Sequence, residues 1–497
     1  MAQRILRSHS PTLEAVFGAV TVITLAACSG TRAEEHAGSQ AGSSVAAGAS
    51  ETEAGYGAPG GAGATAAGAS GGRANVAGMN AAASGASGGR ASGGRAGRGA
   101  AGSAASAAGA SAPVAAGAPA PTPAGNSMYP CDGTTDRYDV VATKMGSNWT
   151  VNARAGNQVY SGADFQRVLS TAYASLTAGR TSKQSILVQG DGEIPANAQL
   201  AIPSYTLLNV CGTVDVTGMP SGSDRSPFYA RNAKHIEIPN LKLTGSPQYG
   251  LFFRQSDDIH LGQIDLRLTR AAGIGVRVDS GPNAQSSTAF NQNLTIDSVY
   301  GSGMGSHIVE TYGIRSIKIG TVEGTDVGEC GLLLNRSVDA EIGLVSCTGC
   351  ATGTGYAAFR VANSVGKVGS EFPAGNIHVG KVYARGGGRG IFSVSGSGGL
   401  TIDEIDLADT GSTPILLQNA YNTIIAAKSG TVSGGLVQLS NDTDNTNSGT
   451  YPPSKGVMLQ NLTLSNRASV RQDWCNEFGK NGNAAMNITG GTVSMCP

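Results

Sequence analysis

The segment from Ser306 to Tyr312 is the densest cluster of chemically reactive side chains in the sequence. It reads Ser-His-Ile-Val-Glu-Thr-Tyr, so that a histidine, a carboxylate and a phenol occur at His307, Glu310 and Tyr312. A second carboxylate, Glu329, follows further along the chain. These side-chain types transfer protons in general acid–base catalysis. We therefore predict that His307, Glu310, Tyr312 and Glu329 are catalytic.

Arginines and an asparagine accompany these residues in neighbouring segments. The predicted substrate-binding residues are Arg254, Arg277, Asn335, Arg360 and Arg389. A guanidinium group binds a carboxylate through two parallel hydrogen bonds, which a single ammonium group cannot do. The series of arginines therefore predicts a substrate that carries negative charge.

A hydrophobic motif of the form I-x-I-x-x-[VIL] repeats around these residues. Its copies begin at Ile236, Ile259, Leu294, Ile317, Ala340, Ile377 and Leu400, with weaker copies at Thr423 and Val457. The starts are separated by 23, 35, 23, 23, 37, 23, 23 and 34 residues, which indicates a 23-residue unit with three insertions. Such a unit cannot enclose a core alone, but stacked parallel strands can. The repeat predicts an all-β fold, a parallel β-helix of about ten rungs, and crossover chirality predicts a right-handed coil.

Alternation along a second strand in each unit predicts which side chains face inward. The predicted inward pairs are Leu251 and Phe253, Val276 and Val278, Val309 and Thr311, Leu332 and Leu334, and Phe392 and Val394. Between them, Arg254, Arg277, Tyr312, Asn335 and Arg360 are predicted to form one outward column. The three insertions, at 281–292, 364–374 and 442–455, follow this strand and are predicted to form a wall beside one face, where repeat proteins often bind their ligands.

An amphipathic segment precedes the repeats. Residues Ser161 to Leu176 place apolar side chains on one helical face, namely Phe165, Val168, Leu169, Ala172 and Leu176. We predict an N-terminal helix that caps the open end of the coil.

Together, the 23-residue rungs, the helix and the wall insertions resemble the pectin-lyase-like parallel β-helix superfamily over residues 131–497. That superfamily contains polysaccharide lyases and polygalacturonase-type glycosidases, so the resemblance implies an enzyme that acts on a polysaccharide. The Asn-Thr-Asp, Asp-Asp and Gly-His-Gly signatures of the polygalacturonases are absent as a set, and Ser306-His307 merely occupies a comparable strand entrance. No catalytic residue is therefore transferred from these families.

Two reactions and one non-catalytic role fit the residues. A lyase that cleaves a uronate polymer by β-elimination needs a cation that neutralises the carboxylate, a base and an acid. Arg254, Arg277 and Arg360 are the candidates for the cation. His307 or Tyr312 could be the base or the acid. A hydrolase needs two carboxylates, for which we nominate Glu310 and Glu329, with Asp326 in reserve. A carbohydrate-binding adhesin is the third alternative. The arginines favour the lyase. We expect no metal or other cofactor, and because we recognise no calcium cluster of aspartates, the role of calcium stays open.

The N-terminal sequence is typical of an exported bacterial lipoprotein. Arg4 and Arg7 precede an apolar stretch, 15–27, that is too short to span a membrane, and Leu-Ala-Ala-Cys ends at Cys28. We predict a signal peptide at 1–27 and lipidation of Cys28. A Gly/Ala/Ser-rich linker at 28–127 would then tether a catalytic domain, 128–497, to the outer membrane or cell surface.

Composition and cysteines limit the remaining choices. The formal net charge is zero, and the sequence has no basic stripe that would suggest a nucleic-acid partner. We expect a monomer whose partners are its polysaccharide and, through the lipid, a membrane. Export permits disulfides, and we predict the pairs Cys131–Cys211 and Cys475–Cys496. The remaining trio, Cys330, Cys347 and Cys350, leaves at least one thiol unpaired.

Overall fold

The structure is a computed structural model that describes residues 129–497 except 155, 282–289, 354, 364–375, 442–450, 474 and 476–480. The predicted signal peptide, Cys28 and the predicted linker lie outside the described residues. Most of the three predicted wall insertions lies outside them as well. Within the described part of the chain, no helix is long and apolar enough to cross a membrane.

Strands dominate the described elements. In chain order these are β1 (Val140–Met145), β2 (Asn148–Ala153), β3 (Gln158–Gly162), α1 (Phe165–Ala174), β4 (Gln184–Gln189), β5 (Gly192–Pro195), β6 (Leu200–Ala201), β7 (Thr206–Cys211), β8 (Thr213–Thr217), β9 (Phe228–Arg231), β10 (Lys234–Gly245), β11 (Tyr249–Arg254), β12 (Asp257–Leu268), β13 (Ile274–Asp279), β14 (Asn291–Ser302), β15 (Val309–Tyr312), β16 (Ile314–Thr325), β17 (Leu332–Asn335), β18 (Val338–Thr348), β19 (Ala357–Ala362), β20 (Ile377–Arg385), β21 (Arg389–Ser393), β22 (Leu400–Ala408), β23 (Ile415–Gln418), β24 (Tyr421–Ser433), β25 (Leu436–Ser440), β26 (Lys455–Gln460), β27 (Leu462–Ser465), β28 (Ser469–Gln472), β29 (Ala484–Met486) and β30 (Thr492–Ser494). The second sheet contains β6, β9, β11, β13, β15, β17, β19, β21, β23, β25, β28 and β30, and the first sheet contains the other strands.

The predicted repeat is the stacking unit of the fold. The motif starts Ile236, Ile259, Leu294, Ile317, Ala340, Ile377 and Leu400 pair in register in the first sheet. All pairings within the second sheet are parallel, and the antiparallel pairs β1–β2 and β2–β3 occur only near the start of the described chain. The predicted parallel β-helix is therefore confirmed.

Each long strand of the first sheet serves two faces of the coil. In β10 the buried residues are Ile236, Ile238, Pro239, Leu241 and Leu243, so the alternation shifts by one residue at Ile238–Pro239 in the middle of the strand. Four of the later rungs place glycine at this corner, at Gly262, Gly320, Gly343 and Gly380. A Cβ atom on Gly343 would lie 2.5 Å from the carbonyl oxygen of the preceding rung. Only a residue without a side chain allows this approach.

Inward side chains of the second sheet form two continuous columns. One contains Leu251, Val276, Val309, Leu332, Phe359 and Ile391, and the other contains Phe253, Val278, Thr311, Leu334, Val361 and Ser393. The prediction is correct for the first four pairs. It is wrong for Phe392 and Val394, because Ile391 and Ser393 occupy the inward positions and Phe392 faces outward. A shift of one residue moves a strand's side chains to the opposite face.

The predicted N-terminal helix forms as α1. The Asp164 side chain accepts a hydrogen bond from the backbone N–H of Arg167 and caps the first turn. Phe165, at the start of the helix, packs against Trp149 with ring centroids 4.9 Å apart. The apolar face of the helix is buried in the main core. Its role as a cap of the coil stays a prediction.

The disulfides follow the sequence prediction. Cys131 bonds to Cys211, and Cys475 bonds to Cys496. In the remaining trio, Cys347 bonds to Cys350, and Cys330 is a buried free thiol.

Candidate functional site

The candidate site lies on the outer surface of the second sheet, which we call the second-sheet face. Two outward columns cover its central rungs. One contains Tyr229, Phe252, Arg277, Glu310, Leu333, Arg360 and Phe392, and its neighbour contains Arg231, Arg254, Asp279, Tyr312, Asn335 and Ala362.

This register corrects the predicted column of arginines. Arg277 and Arg360 do not align with Arg254 but lie in the column of Glu310. The turn between β12 and β13, residues 269–273, is two residues longer than the equivalent turn, 246–248, between β10 and β11. A constant 23-residue spacing therefore places Arg277 one column away from its true position.

Arg254 is held by two aspartates. Its Nε and Nη2 atoms donate to the two carboxylate oxygens of Asp279 at 2.8 and 2.9 Å, and Nη1 donates to Asp224 at 2.6 Å. Only 11% of the Arg254 side chain is exposed. These bonds occupy most of the guanidinium donors, so Arg254 is engaged within the protein itself.

The same chain of ion pairs continues to Glu310. The Nε of Arg277 donates to Asp279 at 3.1 Å, and its Nη1 donates to Oε2 of Glu310 at 2.7 Å. The other oxygen of Glu310 accepts a hydrogen bond from Nδ2 of Asn335 at 2.9 Å. Both oxygens of this buried carboxylate are therefore occupied. We call Asp224, Arg254, Asp279, Arg277 and Glu310 the ion-pair chain.

His307 lies just before β15, the strand that contains Glu310, and is buried. Its Nδ1 accepts the backbone N–H of Cys330 at 3.1 Å, so in the neutral ring the proton is on Nε2. That nitrogen lies 3.2 Å from Oε2 of Glu329. Burial lowers the pKa of His307 to about 4, although the negative charge of Glu329 acts in the opposite direction. His307 is thus a neutral donor directed at Glu329 near neutral pH.

Tyr356 completes this group and was not predicted from the sequence. Its hydroxyl group interacts with Glu329, and its ring meets the His307 ring edge-on at 5.4 Å between centroids. Burial, followed by the charge of Glu329, raises the pKa of Tyr356, which keeps the phenol protonated. Ser306 also donates to Glu329. We call His307, Glu329 and Tyr356 the proton-transfer cluster.

A sequence signal for Tyr356 did exist. His307 and Glu329 lie just before β15 and β17, two successive strands of the second sheet. Tyr356 lies at the equivalent place in the next rung, immediately before β19. A reactive side chain at the entrance of each successive strand is therefore the signal that points to Tyr356.

Two arginines lie beside the proton-transfer cluster. The guanidinium carbon of Arg360 is 5.5 Å from the Tyr356 ring centroid and 5.4 Å from that of Phe392. The guanidinium carbon of Arg389 is 5.1 Å from the Phe392 centroid. Burial, together with the like charge of Arg360, lowers the pKa of Arg389. The buried Nε of Arg389 has no hydrogen-bond partner among the described residues. The pair therefore concentrates positive charge at this point.

The other predicted residues occupy separate positions. Tyr312 is in register with Asp279 and Asn335, in the column beside Glu310. Asp326, the reserve carboxylate, is exposed in the turn after β16. In the described part of the chain, no three His, Cys, Asp or Glu side chains are arranged to hold a metal ion.

Comparisons with known proteins give one structural similarity. No protein-family model matches the chain, and no curated protein matches it either. Among solved structures, it is similar to the A-module of the mannuronan C-5 epimerase AlgE6 from Azotobacter vinelandii. The identity is 10%, the match covers 67% of this chain and 96% of that chain, and the TM-score is 0.26. At these values the similarity carries no argument about activity, and the fold assignment rests on the strand pairing.

Proposed function

We propose that the protein is a polysaccharide lyase that cleaves a uronate-containing polymer by β-elimination on the second-sheet face. One observation carries this proposal: a buried histidine, a carboxylate and a protonated phenol are in contact beside two closely spaced guanidinium groups. Elimination next to a carboxylate needs a base, an acid and local positive charge.

The proposed reaction moves one proton from carbon to oxygen. The Glu329 carboxylate removes the C5 proton of the uronate, the electron pair forms the C4–C5 double bond, and the C4–O bond breaks. Tyr356 donates its hydroxyl proton to the departing oxygen and is reprotonated by Glu329. His307 keeps its own proton and orients Glu329 through Nε2. This assigns the base and acid roles to a different pair from the predicted His307 and Tyr312.

Arg360 and Arg389 are the proposed carboxylate ligands. The guanidinium groups of both arginines lie against the Phe392 ring. The repulsion between these two positive charges decreases when an anion binds between them. Negative charge develops on the substrate carboxylate as the C5 proton leaves, so cations placed there stabilise the transition state more than the bound substrate. Arg254 and Arg277 have a structural role in this proposal, because the ion-pair chain already engages them.

A hydrolase that uses Glu310 and Glu329 is less well supported. In glycoside hydrolysis, one carboxylic acid protonates the leaving oxygen while the other activates water or attacks the sugar. Glu310 instead accepts hydrogen bonds from Arg277 and Asn335 on its two oxygens. Both carboxylate oxygens are therefore engaged within the protein, so neither is free to act on a glycosidic bond or a water molecule.

Digestion of a panel of acidic polysaccharides tests the reaction. Pectins, alginate and glucuronans are incubated with the protein while ultraviolet absorbance and reducing ends are both followed. The lyase proposal predicts that the absorbance of a conjugated double bond rises together with the reducing ends. Reducing ends without that absorbance would establish a hydrolase. Binding without any shortening of the polymer would establish an adhesin.

We also propose that the protein acts outside the cell, anchored by a lipid on Cys28. The support for this location is the sequence alone, namely the short apolar stretch at 15–27 that ends in the Leu-Ala-Ala-Cys motif. The Gly/Ala/Ser-rich linker would let the catalytic domain reach a large extracellular substrate.

A further inference from the structure

The positive charge beside the proton-transfer cluster is confined to two neighbouring rungs. Arg360 belongs to β19 and Arg389 to β21, and both guanidinium groups lie against the Phe392 ring. Parallel strands are about 4.8 Å apart, so a polymer that runs along the axis of the coil places about one sugar on each rung. The residues on the rungs before and after this arginine pair therefore determine which sugars can flank the bound uronate.

The two rungs before the arginine pair carry no cation in the outward columns of the described strands. Leu333, on β17, occupies the column of Arg360 and is 2% exposed. One rung earlier the same column holds Glu310, which is already paired with Arg277. Arg336 lies in the turn after β17, outside these columns. A second carboxylate on these rungs would therefore find no positive partner within the columns.

The next rung after the arginine pair is uncharged and more accessible. Leu416, on β23, follows Phe392 in the same column and is half-buried. Gln418 is the next outward residue of that strand and is also half-buried. Its side chain makes no hydrogen bond to the described residues. This rung thus presents an apolar surface and an available amide.

The rungs beyond β23 add no available cation in the described part of the face. Gln438, on β25, continues the column of Leu416 and donates a hydrogen bond to Asp473. Arg471, on β28, comes next in this column and is paired with the same aspartate. The arginine pair is thus flanked on both sides by rungs that do not match a carboxylate.

A neutral sugar fits the β23 rung better than a second uronate. The amide of Gln418 both donates and accepts hydrogen bonds, as sugar hydroxyl groups do. Leu416 can cover the apolar C–H groups of a sugar ring. A carboxylate placed on these two side chains would lose water without gaining a cation, which is unfavourable. In a polymer made only of uronates, every sugar that flanks the reacting one would meet this penalty or remain unbound.

We propose that the cleaved uronate is flanked by neutral sugars, as in a polymer in which uronates and neutral sugars alternate, and that Leu416 and Gln418 bind the neutral sugar on the β23 rung. The inference rests on the proposed function, because it takes the arginine pair as the carboxylate site. It goes further by defining the class of polymer.

Cleavage of two kinds of polymer tests this specificity. Polygalacturonate and alginate contain only uronates, whereas the rhamnogalacturonan backbone and hyaluronan alternate a uronate with a neutral sugar. Double-bond formation is followed on each polymer at the same concentration of uronate. We expect kcat/KM on at least one alternating polymer to exceed that on both homopolymers by about tenfold or more.

A charge series at Gln418 tests the position of the neutral sugar. Gln418→Arg adds a cation to the β23 rung and should raise kcat/KM on polygalacturonate about tenfold, as expected for one added charge-assisted hydrogen bond. Gln418→Glu should lower it, because two negative charges would then be adjacent. Gln263→Arg is the matched control, since it adds the same charge to a half-buried outward glutamine on β12 of the first sheet and should change nothing. Unfolding midpoints of all variants confirm that they are folded.

The results separate this inference from the proposed reaction. Cleavage of a homopolymer at least as fast as of both alternating polymers would overturn the inference and leave the lyase proposal intact. Equal kcat/KM on polygalacturonate in Gln418→Arg and Gln263→Arg would also overturn it. If no polymer gains a double bond, the proposed reaction fails, and the retardation of the wild-type protein in gels that contain each polymer decides. Stronger retardation by an alternating polymer would then support the inference, and equal or stronger retardation by a homopolymer would overturn it.

Discussion

Asp279 is the residue whose removal tests the ion-pair chain most severely. It is 1% exposed, and its carboxylate binds both Arg254 and Arg277 as well as the backbone N–H of Gly281. In Asp279→Ala, the guanidinium groups of Arg254 and Arg277 both lose this anion. Water does not readily replace it, because the two side chains are only 11% and 16% exposed, respectively. Arg254 retains Asp224 and Arg277 retains Glu310.

The expected cost is large because the arginines cannot recover their hydration. Removal of one partner from a buried ion pair typically costs 3–5 kcal/mol, and we expect about 4 kcal/mol for Asp279→Ala. Asp265→Ala is the matched control, since its partner Arg267 is 51% exposed and Asp265 itself is 32% exposed. Solvent screens that pair, so its loss should cost less than about 1 kcal/mol.

Urea denaturation followed by circular dichroism measures both changes in the free energy of unfolding. If the ion-pair chain is a buried structural network, Asp279→Ala must be several times more destabilising than Asp265→Ala. Similar small losses in the two variants would show that water reaches Arg254 and Arg277, and these arginines would then become candidates for substrate binding again.

Three further predictions concern pH, a disulfide and location. Because folding lowers the pKa of His307 to about 4 from 6.5, the unfolded state binds its proton more readily. Stability should be full above pH 6.5 and should fall by about 3 kcal/mol as the pH decreases to about 4, a dependence that His307→Gln should remove in acid denaturation curves. Replacement of Cys131 and Cys211 by serine opens a loop with a sequence separation of 80 and should cost about 4 kcal/mol in the same assay, whereas a loss below about 1 kcal/mol would contradict the chain-entropy reasoning. Cys28→Ala should move the protein from the membrane fraction to the soluble fraction with unchanged specific activity, and persistent membrane association would refute lipidation.

The fold was predictable because its repeat is local and frequent. Each 23-residue unit repeats the same apolar positions, and neighbouring copies such as Ile236 and Ile259 pair directly. The outer columns were less predictable because they depend on turn lengths as well as strand patterns. Two extra residues in one turn move Arg277 beside Glu310, and a one-residue shift turns Phe392 outward.

The candidate site was only partly predictable for the same reason. The sequence identified His307 and Glu329 from their residue types, and the structure brings them into contact. It did not reveal that Glu310 is neutralised by Arg277, since ion pairs between rungs depend on register rather than on sequence spacing. Tyr356 joins the cluster from a third rung, beyond the segment in which reactive residues are concentrated.

The central claim is that the proton-transfer cluster performs the elimination, and a pair of tyrosine variants tests it most directly. Tyr356→Phe removes only the hydroxyl group that contacts Glu329, whereas Tyr300→Phe removes a hydroxyl group on the first sheet and serves as the control. The rate of double-bond formation on the cleaved uronate polymer should fall by about 10²-fold or more in Tyr356→Phe, as expected for loss of a general acid, and should be unchanged in Tyr300→Phe. Equal rates in Tyr356→Phe and the wild-type protein would contradict the proposed site.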